Sequence, residues 1–219
     1  MKDNSVRKVE SSVLLKELQN RGYVAVKRAL KSAGRSRNVS LQRWEGGKYT
    51  FGVVSDTHLG SRYQQLTHLK SFYALCMERG IRVMLHCGDL VDGEKMYRGQ
   101  EYEIFVHGAD RQIEYAVENY PRFPRMKTWI ISGNHDNSFL KSAGIDAVKH
   151  VSRRREDFIY LGADFATLKF KRLLIALMHG TSGVPYARSY RIQKIVEQLA
   201  SENKPNMLFL GHKMYVSVS

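Results

Sequence analysis

From Tyr49 onward the chain alternates short apolar runs with longer stretches in which apolar residues recur every three or four positions. The short runs predict strands and the longer ones helices. Strands are predicted over residues 49–55, 82–87, 128–132 and 207–210. Helices are predicted over 64–79, closed by Gly80, over 101–120, near 145–151, and over 190–201. Ile104, Phe105, Ile113 and Val117 form the expected inner stripe of the 101–120 helix, which Pro121 and Pro124 terminate. Between residues 158 and 178 the texture is β, with strands over 158–161, 165–170 and 173–178. Lys171-Arg172 makes a tight turn there, and residues 215–218 supply one further strand. Strand, loop, helix, repeated, is an α/β plan whose functional residues belong at the carboxyl ends of the strands. The later strands predict a second sheet packed on the first, a layered sandwich with helices outside.

Residues 1–48 read as a separate segment. Val6, Val9, Val13, Leu14 and Leu18 give one amphipathic helix over 6–20 and Gly22 a stop; a second helix runs over 23–33 and ends at Gly34. The polar, basic stretch RSRNVSLQRW then leads through Gly46-Gly47 into the first strand. Two short helices followed by basic residues read first as a packing or linker hairpin, with a helix-turn-helix that contacts DNA as the alternative. The division expected is therefore 1–48 and 49–219.

Charge sharpens this picture. The 219 residues carry a net +14, with 12 basic against 4 acidic residues in positions 1–50 and 23 against 17 in the rest. A basic extension beside a catalytic domain points to a polyanionic partner, nucleic acid first. No run approaches the roughly 18 apolar residues of a membrane span, and the start, MKDNSVRKVE, lacks the apolar core of a signal peptide. Cys76 and Cys87 are too few for a disulfide framework and read as reduced, buried thiols of a cytoplasmic protein.

Candidate chemistry sits where the strands end. FGVVSDTHLG closes on Asp56 and His58, two residues apart and so expected on one side of the strand end. Gly88-Asp89, Gly133-Asn134-His135-Asp136, His179-Gly180 and Gly211-His212 follow later apolar runs in the same way. Mixed His, Asp and Asn donors suit manganese, iron or zinc better than calcium or a Cys-type structural zinc. The neighbouring glycines permit the sharp turns and close approach that such a site needs. Asp92 and Glu94 read as shaping the loop after Asp89.

The order DxH, GD, GNHD, HG, GH resembles the calcineurin-like metallophosphoesterase superfamily, and in particular its DNA-repair exonuclease branch. The resemblance implies a four-layer α-β-β-α sandwich holding two divalent metal ions. By position, Asp56 and His58 would bind the first ion, Asp89 would bridge both, and Asn134, His179 and His212 would bind the second. His135 would protonate the leaving oxygen, with Asp136 orienting it. The implied reaction is attack on phosphorus by a hydroxide bridging the metals. Two features depart from the family. Its closing GHxH is here Gly211-His212-Lys213-Met214, and a thioether is a poor ligand for these ions. The chain also stops at Ser219, where relatives continue with further strands.

The substrate expectation is a phosphodiester of nucleic acid. Alternatives are a phosphomonoesterase or protein phosphatase, and a metal-poor DNA-binding platform, which Met214 favours. Arg188, Tyr190 and Arg191, just after His179, are candidates for holding substrate, by stacking bases and gripping phosphates. Arg153-Arg154-Arg155 reads as a solvated surface turn.

Overall fold

Alternation along the central strands builds two cores at once. The computed structural model describes residues 37–38, 50–170, 173–180, 197, 204–212 and 215–218. A parallel sheet runs in the order β2 (Gly52–Val54), β3 (Val83–His86), β4 (Lys127–Ser132) and β5 (Phe158–Ala163). All four residues of β3 are buried, as expected of a parallel strand covered on both faces. Met84 turns to a core shared with the helices, whereas Val83 and Leu85 turn to a core shared with the second sheet. Ile130 and Ile131 of β4 divide in the same way.

The helix-side core gathers Tyr73 and Cys76 of α1 (Leu66–Glu78), Ile113 and Ala116 of α2 (Ala109–Asn119), and Phe139 of α3 (Asp136–Ala143). Ala147, Val148 and Val151 of α4 (Ala147–Arg154) complete it. Local signals set the helix ends: Asp146 caps α4 by accepting from the Lys149 N–H, and Gly144 closes α3 in the left-handed conformation, φ 70°.

The second sheet has the order β1 (Arg37–Asn38), β6 (Phe165–Phe170), β7 (Leu173–His179), β8 (Met207–Gly211) and β9 (Tyr215–Val218). β6 and β7 are antiparallel, β7 and β8 parallel, and β8 and β9 antiparallel. Leu168, Ile175, Leu177 and Phe209 face the first sheet and fill the space between the two. Helices on one sheet and that sheet on another are three layers of the expected sandwich. Of the helix predicted over 190–201 only Glu197, which is helical, is among the described residues; the turn at Lys171-Arg172 and the helices predicted over 6–20 and 23–33 lie outside them. β1 falls within the stretch read as a basic linker and pairs in parallel with β6.

Two expectations are corrected. The single helix predicted over 101–120 is a 3-10 turn at Gln100–Tyr102 and then α2, separated by Gly108 at φ 91°. The intervening backbone is used elsewhere: Ile104 bridges to Ser61, and the Phe105 N–H donates to the Gly60 carbonyl at 2.9 Å. Ile104 is buried by this pairing, but Phe105 is 42% exposed. The second correction concerns Arg153-Arg154-Arg155. Arg153 and Arg154 belong to the last turn of α4, while Arg155 is buried. Its guanidinium pairs with Asp157, donates to the carbonyls of Tyr120 (2.7 Å) and Pro121 (2.9 Å), and lies 4.9 Å from the Phe158 ring centre. Arg155 therefore staples the end of α2 to the start of β5. A charge run cannot reveal such a role, because only the fold brings those carbonyls to it.

Candidate metal centre

The loops leaving β2 and β3 are zipped together beyond the sheet. Asp56 N–H donates to the Gly88 carbonyl at 3.0 Å, Thr57 and His58 N–H donate to the Asp89 carbonyl at 2.9 and 3.1 Å, and Leu59 N–H to the Leu90 carbonyl at 2.9 Å. Asp56 and His58 do not continue the strand, as alternation implied. Both have positive φ, 56° and 42°, and so do Asp89 (56°) and His212 (74°). Left-handed backbone is uncommon for residues other than glycine and is held only where surrounding contacts enforce it. Of the seven non-glycine residues in that region among those described, four are predicted metal ligands.

His86, the last residue of β3, fixes this zipper. Gly88 N–H donates to its Nδ1 at 3.2 Å, which leaves Nε2–H to meet Thr57 Oγ1 at 3.2 Å; Thr57 Oγ1 in turn donates to the Leu90 carbonyl at 3.0 Å. Burial, followed by the neighbouring His179, pushes the His86 ring down to about 3, so it stays neutral and keeps this tautomer.

The predicted ligands converge. Asp56, His58 and Asp89 place one ligand atom each within 4.8 Å of one another, and so do Asp89, His179 and His212. Asp89 belongs to both groups. Asn134 joins the second, its Oδ1 2.9 Å from His179 Nε2. His212 is held to Asp56 through its backbone N–H, 3.0 Å from each carboxylate oxygen. Glycine makes the closeness possible: a Cβ at Gly133 would run into the Asp89 carboxylate, and one at Gly88 would come within 2.7 Å of His179 Nδ1.

The donor chemistry fits cations. His179 Nδ1–H donates to the Cys87 carbonyl at 2.7 Å, which turns Nε2 towards Asn134 Oδ1 and towards Asp89 Oδ2 at 3.0 Å. Three acceptor atoms facing one another repel unless a positive charge lies among them. Asp89 Oδ2, although buried, has no well-aligned hydrogen bond. Burial alone would lower the His179 pKa, but Asp89, with Asp56 behind it, outweighs burial and lifts it to about 9. Burial likewise works against the Asp89 carboxylate, and His179 holds it below its usual range. A proton on His179 is the substitute for a cation at that point. His212 is lowered by burial and then by His179.

Asp92, read from sequence only as shaping a loop, also belongs to the centre. Its Oδ1 lies 3.1 Å from His58 Nδ1, leaving Nε2 of that ring to face Asp56 (4.0 Å) and Asp89 (3.8 Å). Its carbonyl lies 2.6 Å from His135 Nδ1. With His58 and His135 it makes a third ligand-sized group. The one available signal was its spacing of three residues from Asp89. Glu94 does shape the loop, accepting from the Gly108 N–H at 2.6 Å.

Asp136 is a correction. Its carboxylate accepts from the backbone N–H groups of Gly133 (2.8 Å), Val91 (3.0 Å) and Leu90 (3.2 Å), and the His135 ring is oriented by Asp92 instead. Burial, then the nearby Asp89, pushes Asp136 up to about 7 against the pull of those three donors. Asp136 thus holds the Asp89 and Gly133 loops together. Arg188, Tyr190, Arg191 and Met214 lie outside the described residues.

Asp56, His58, Asp92 and His135 open onto a cleft of about 620 Å3. None of the curated proteins matches the chain. A family model described as calcineurin-like phosphoesterase matches residues 49–215. That span includes the two strand-end loops zipped at Gly88 and both ligand groups that share Asp89, and on it the chain belongs to the calcineurin-like phosphoesterase family, whose chemistry is metal-dependent hydrolysis of phosphoesters.

Proposed function

We propose that this protein hydrolyses phosphodiester bonds in nucleic acid, in the manner of the DNA-repair exonuclease branch of its family. The observation that carries the reading is the sharing of Asp89 between two ligand groups, Asp56–His58–Asp89 and Asp89–His179–His212. A carboxylate has two oxygens and can serve two cations, so the arrangement suits a pair of divalent ions, manganese, iron or zinc, rather than one. Bound there, such ions supply neutralisation of phosphoryl charge and a water acidified enough to attack near neutral pH.

The chain's own residues do the rest. Asp56 and His58 hold the first position, and Asn134, His179 and His212 the second. Asp92 keeps His135 Nδ1–H engaged at 2.6 Å, which leaves Nε2 as the nitrogen for the substrate at the cleft. From there His135 gives a proton to the departing oxygen, a role open to an imidazole, which can carry a proton on Nε2 while Nδ1–H stays engaged. The net charge of +14, concentrated in residues 1–50, supports a polyanionic substrate.

The test is turnover of bis(p-nitrophenyl) phosphate and of p-nitrophenyl phosphate by the full chain with manganese. Diester hydrolysis that disappears in His135→Ala is the expected result. Hydrolysis of the monoester alone replaces this reading with a phosphatase. No turnover together with salt-sensitive DNA binding replaces it with a binding platform.

A further inference from the structure

Six large hydrophobic side chains are exposed among the described residues, and four of them are aromatic: Tyr63 (68%) and, within residues 97–105, Tyr97 (50%), Tyr102 (79%) and Phe105 (42%). Single exposed apolar residues scattered over a surface need no explanation, but a cluster beside a functional centre does. The fold itself brings these together. Arg62 N–H donates to the Glu103 carbonyl at 2.8 Å, Arg62 Nε to the Tyr102 carbonyl at 3.1 Å, and Ser61 bridges to Ile104. Residues 60–65 are thereby laid against residues 97–105.

Two of the four aromatics, Tyr63 and Tyr97, line the same cleft as Asp56, His58 and His135, and Phe72 contributes to its wall. Tyr97 is not a free rotor: its hydroxyl donates to the Glu103 carboxylate, which also lines the cleft. The chemistry of this wall is specific. Exposed aromatic faces stack on planar rings. A carboxylate repels phosphate but accepts hydrogen bonds from the amino group of a base. The wall therefore suits a base and not a second phosphate. A volume of about 620 Å3 is within the range for a nucleotide-sized ligand.

We propose that the Tyr63–Tyr97–Glu103 wall is a nucleobase subsite, holding the base that adjoins the phosphate at the metal centre. The inference rests on the phosphodiester reading above and names the feature of the substrate that the cleft recognises. Stacking is tolerant of base identity, so the subsite gives affinity for nucleic acid over simple diesters with modest sequence preference.

The experiment measures base binding separately from catalysis. The full chain, stripped with EDTA, is titrated into 2-aminopurine deoxyribonucleoside 5′-monophosphate, whose fluorescence is quenched by stacking; the titration is repeated with manganese. Wild type is expected to quench saturably, and Tyr63→Ala/Tyr97→Ala to weaken the Kd by about 10- to 100-fold, in line with the loss of stacking on one base. Tyr102→Ala, outside the cleft, is expected to bind within about twofold of wild type, as surface substitutions away from a site do. Absence of saturable quenching, or an unchanged Kd in the double variant, overturns the subsite even if diesters are cleaved. Quenching of the expected pattern without any diester turnover upholds the subsite while the catalytic reading fails. Because both tyrosines are exposed, their truncation leaves the fold intact, which the melting temperature of the double variant checks.

Discussion

Asp92 is the residue through which the fold prepares the first metal position, and its removal has a calculable effect. His58 has two ring nitrogens with different duties: Nδ1 faces Asp92 Oδ1 at 3.1 Å, and Nε2 faces Asp56 and Asp89. At 3.1 Å the two atoms are close but not aligned as a hydrogen bond in the metal-free fold; drawn into line, a hydrogen bond from an imidazole to a buried carboxylate is worth about 1.5–3 kcal/mol. Spent on holding the ring, it corresponds to the roughly 10- to 100-fold in metal affinity associated with such outer partners. Asp92→Ala removes both the charge and the acceptor and should show that full loss. Asp92→Asn keeps an oxygen for Nδ1–H and loses only the charge, about half the energy, so its loss should be several-fold.

The measurement is the manganese Kd and stoichiometry of the EDTA-stripped chain by titration calorimetry. Burial pushes the His58 pKa down, and Asp92, followed by Asp89 and Asp56, more than reverses it. Removing Asp92 therefore also relieves competition from protons, so the variants are compared over a series of pH values and by their limiting affinities at the alkaline end. Affinity should fall in the order wild type, Asp92→Asn, Asp92→Ala, with Asp92→Ala binding about tenfold or more weakly. A Kd for Asp92→Ala equal to that of wild type would falsify the claim that Asp92 orients His58.

Four further outcomes are expected. Arg155→Met leaves Asp157 buried without its partner and should cost about 3–5 kcal/mol, seen as a melting temperature roughly 10 °C lower; a change of a degree or less would mean that the staple contributes nothing. Gly133→Ala drives a Cβ into the Asp89 carboxylate, so metal binding should weaken and the stripped protein should lose about 1–3 kcal/mol, with unaltered binding counting against the proposed packing. His179 is lifted from 6.5 to about 9 in the metal-free fold. A raised pKa stabilises below 6.5 and the contribution is lost as pH rises through about 9, so the stripped chain should melt lower across that window. Manganese, which must displace that proton, should bind up to about tenfold tighter per pH unit over it, and a flat profile in both would contradict the protonated pair. Met214→His should raise manganese bound per chain on elemental analysis, and unchanged content would show that a ligand at 214 is not limiting.

The strand-and-helix plan was legible in the residue pattern, because the information there is local and repeated. The apolar run of β3 announces a strand buried on both faces, and the glycines next to Asp89, Asn134 and His212 mark where the backbone must turn sharply. The order of His, Asp and Asn after successive strands was enough to name the residues of the two groups that share Asp89, though not Asp92, since strand ends in such a fold collect at one edge. Backbone hydrogen bonding between distant segments was not legible there, because it depends on how the chain folds back on itself. It broke the expected long helix when Ile104 paired with Ser61. It turned Asp136 from the His135 ring to three N–H groups of neighbouring loops and gave Asp92 that ring instead. It buried Arg155 against carbonyls more than 30 residues away. In each case the same group has several possible partners of equal chemistry, and sequence order does not rank them; which one comes within hydrogen-bond reach follows from how the layers close over the core.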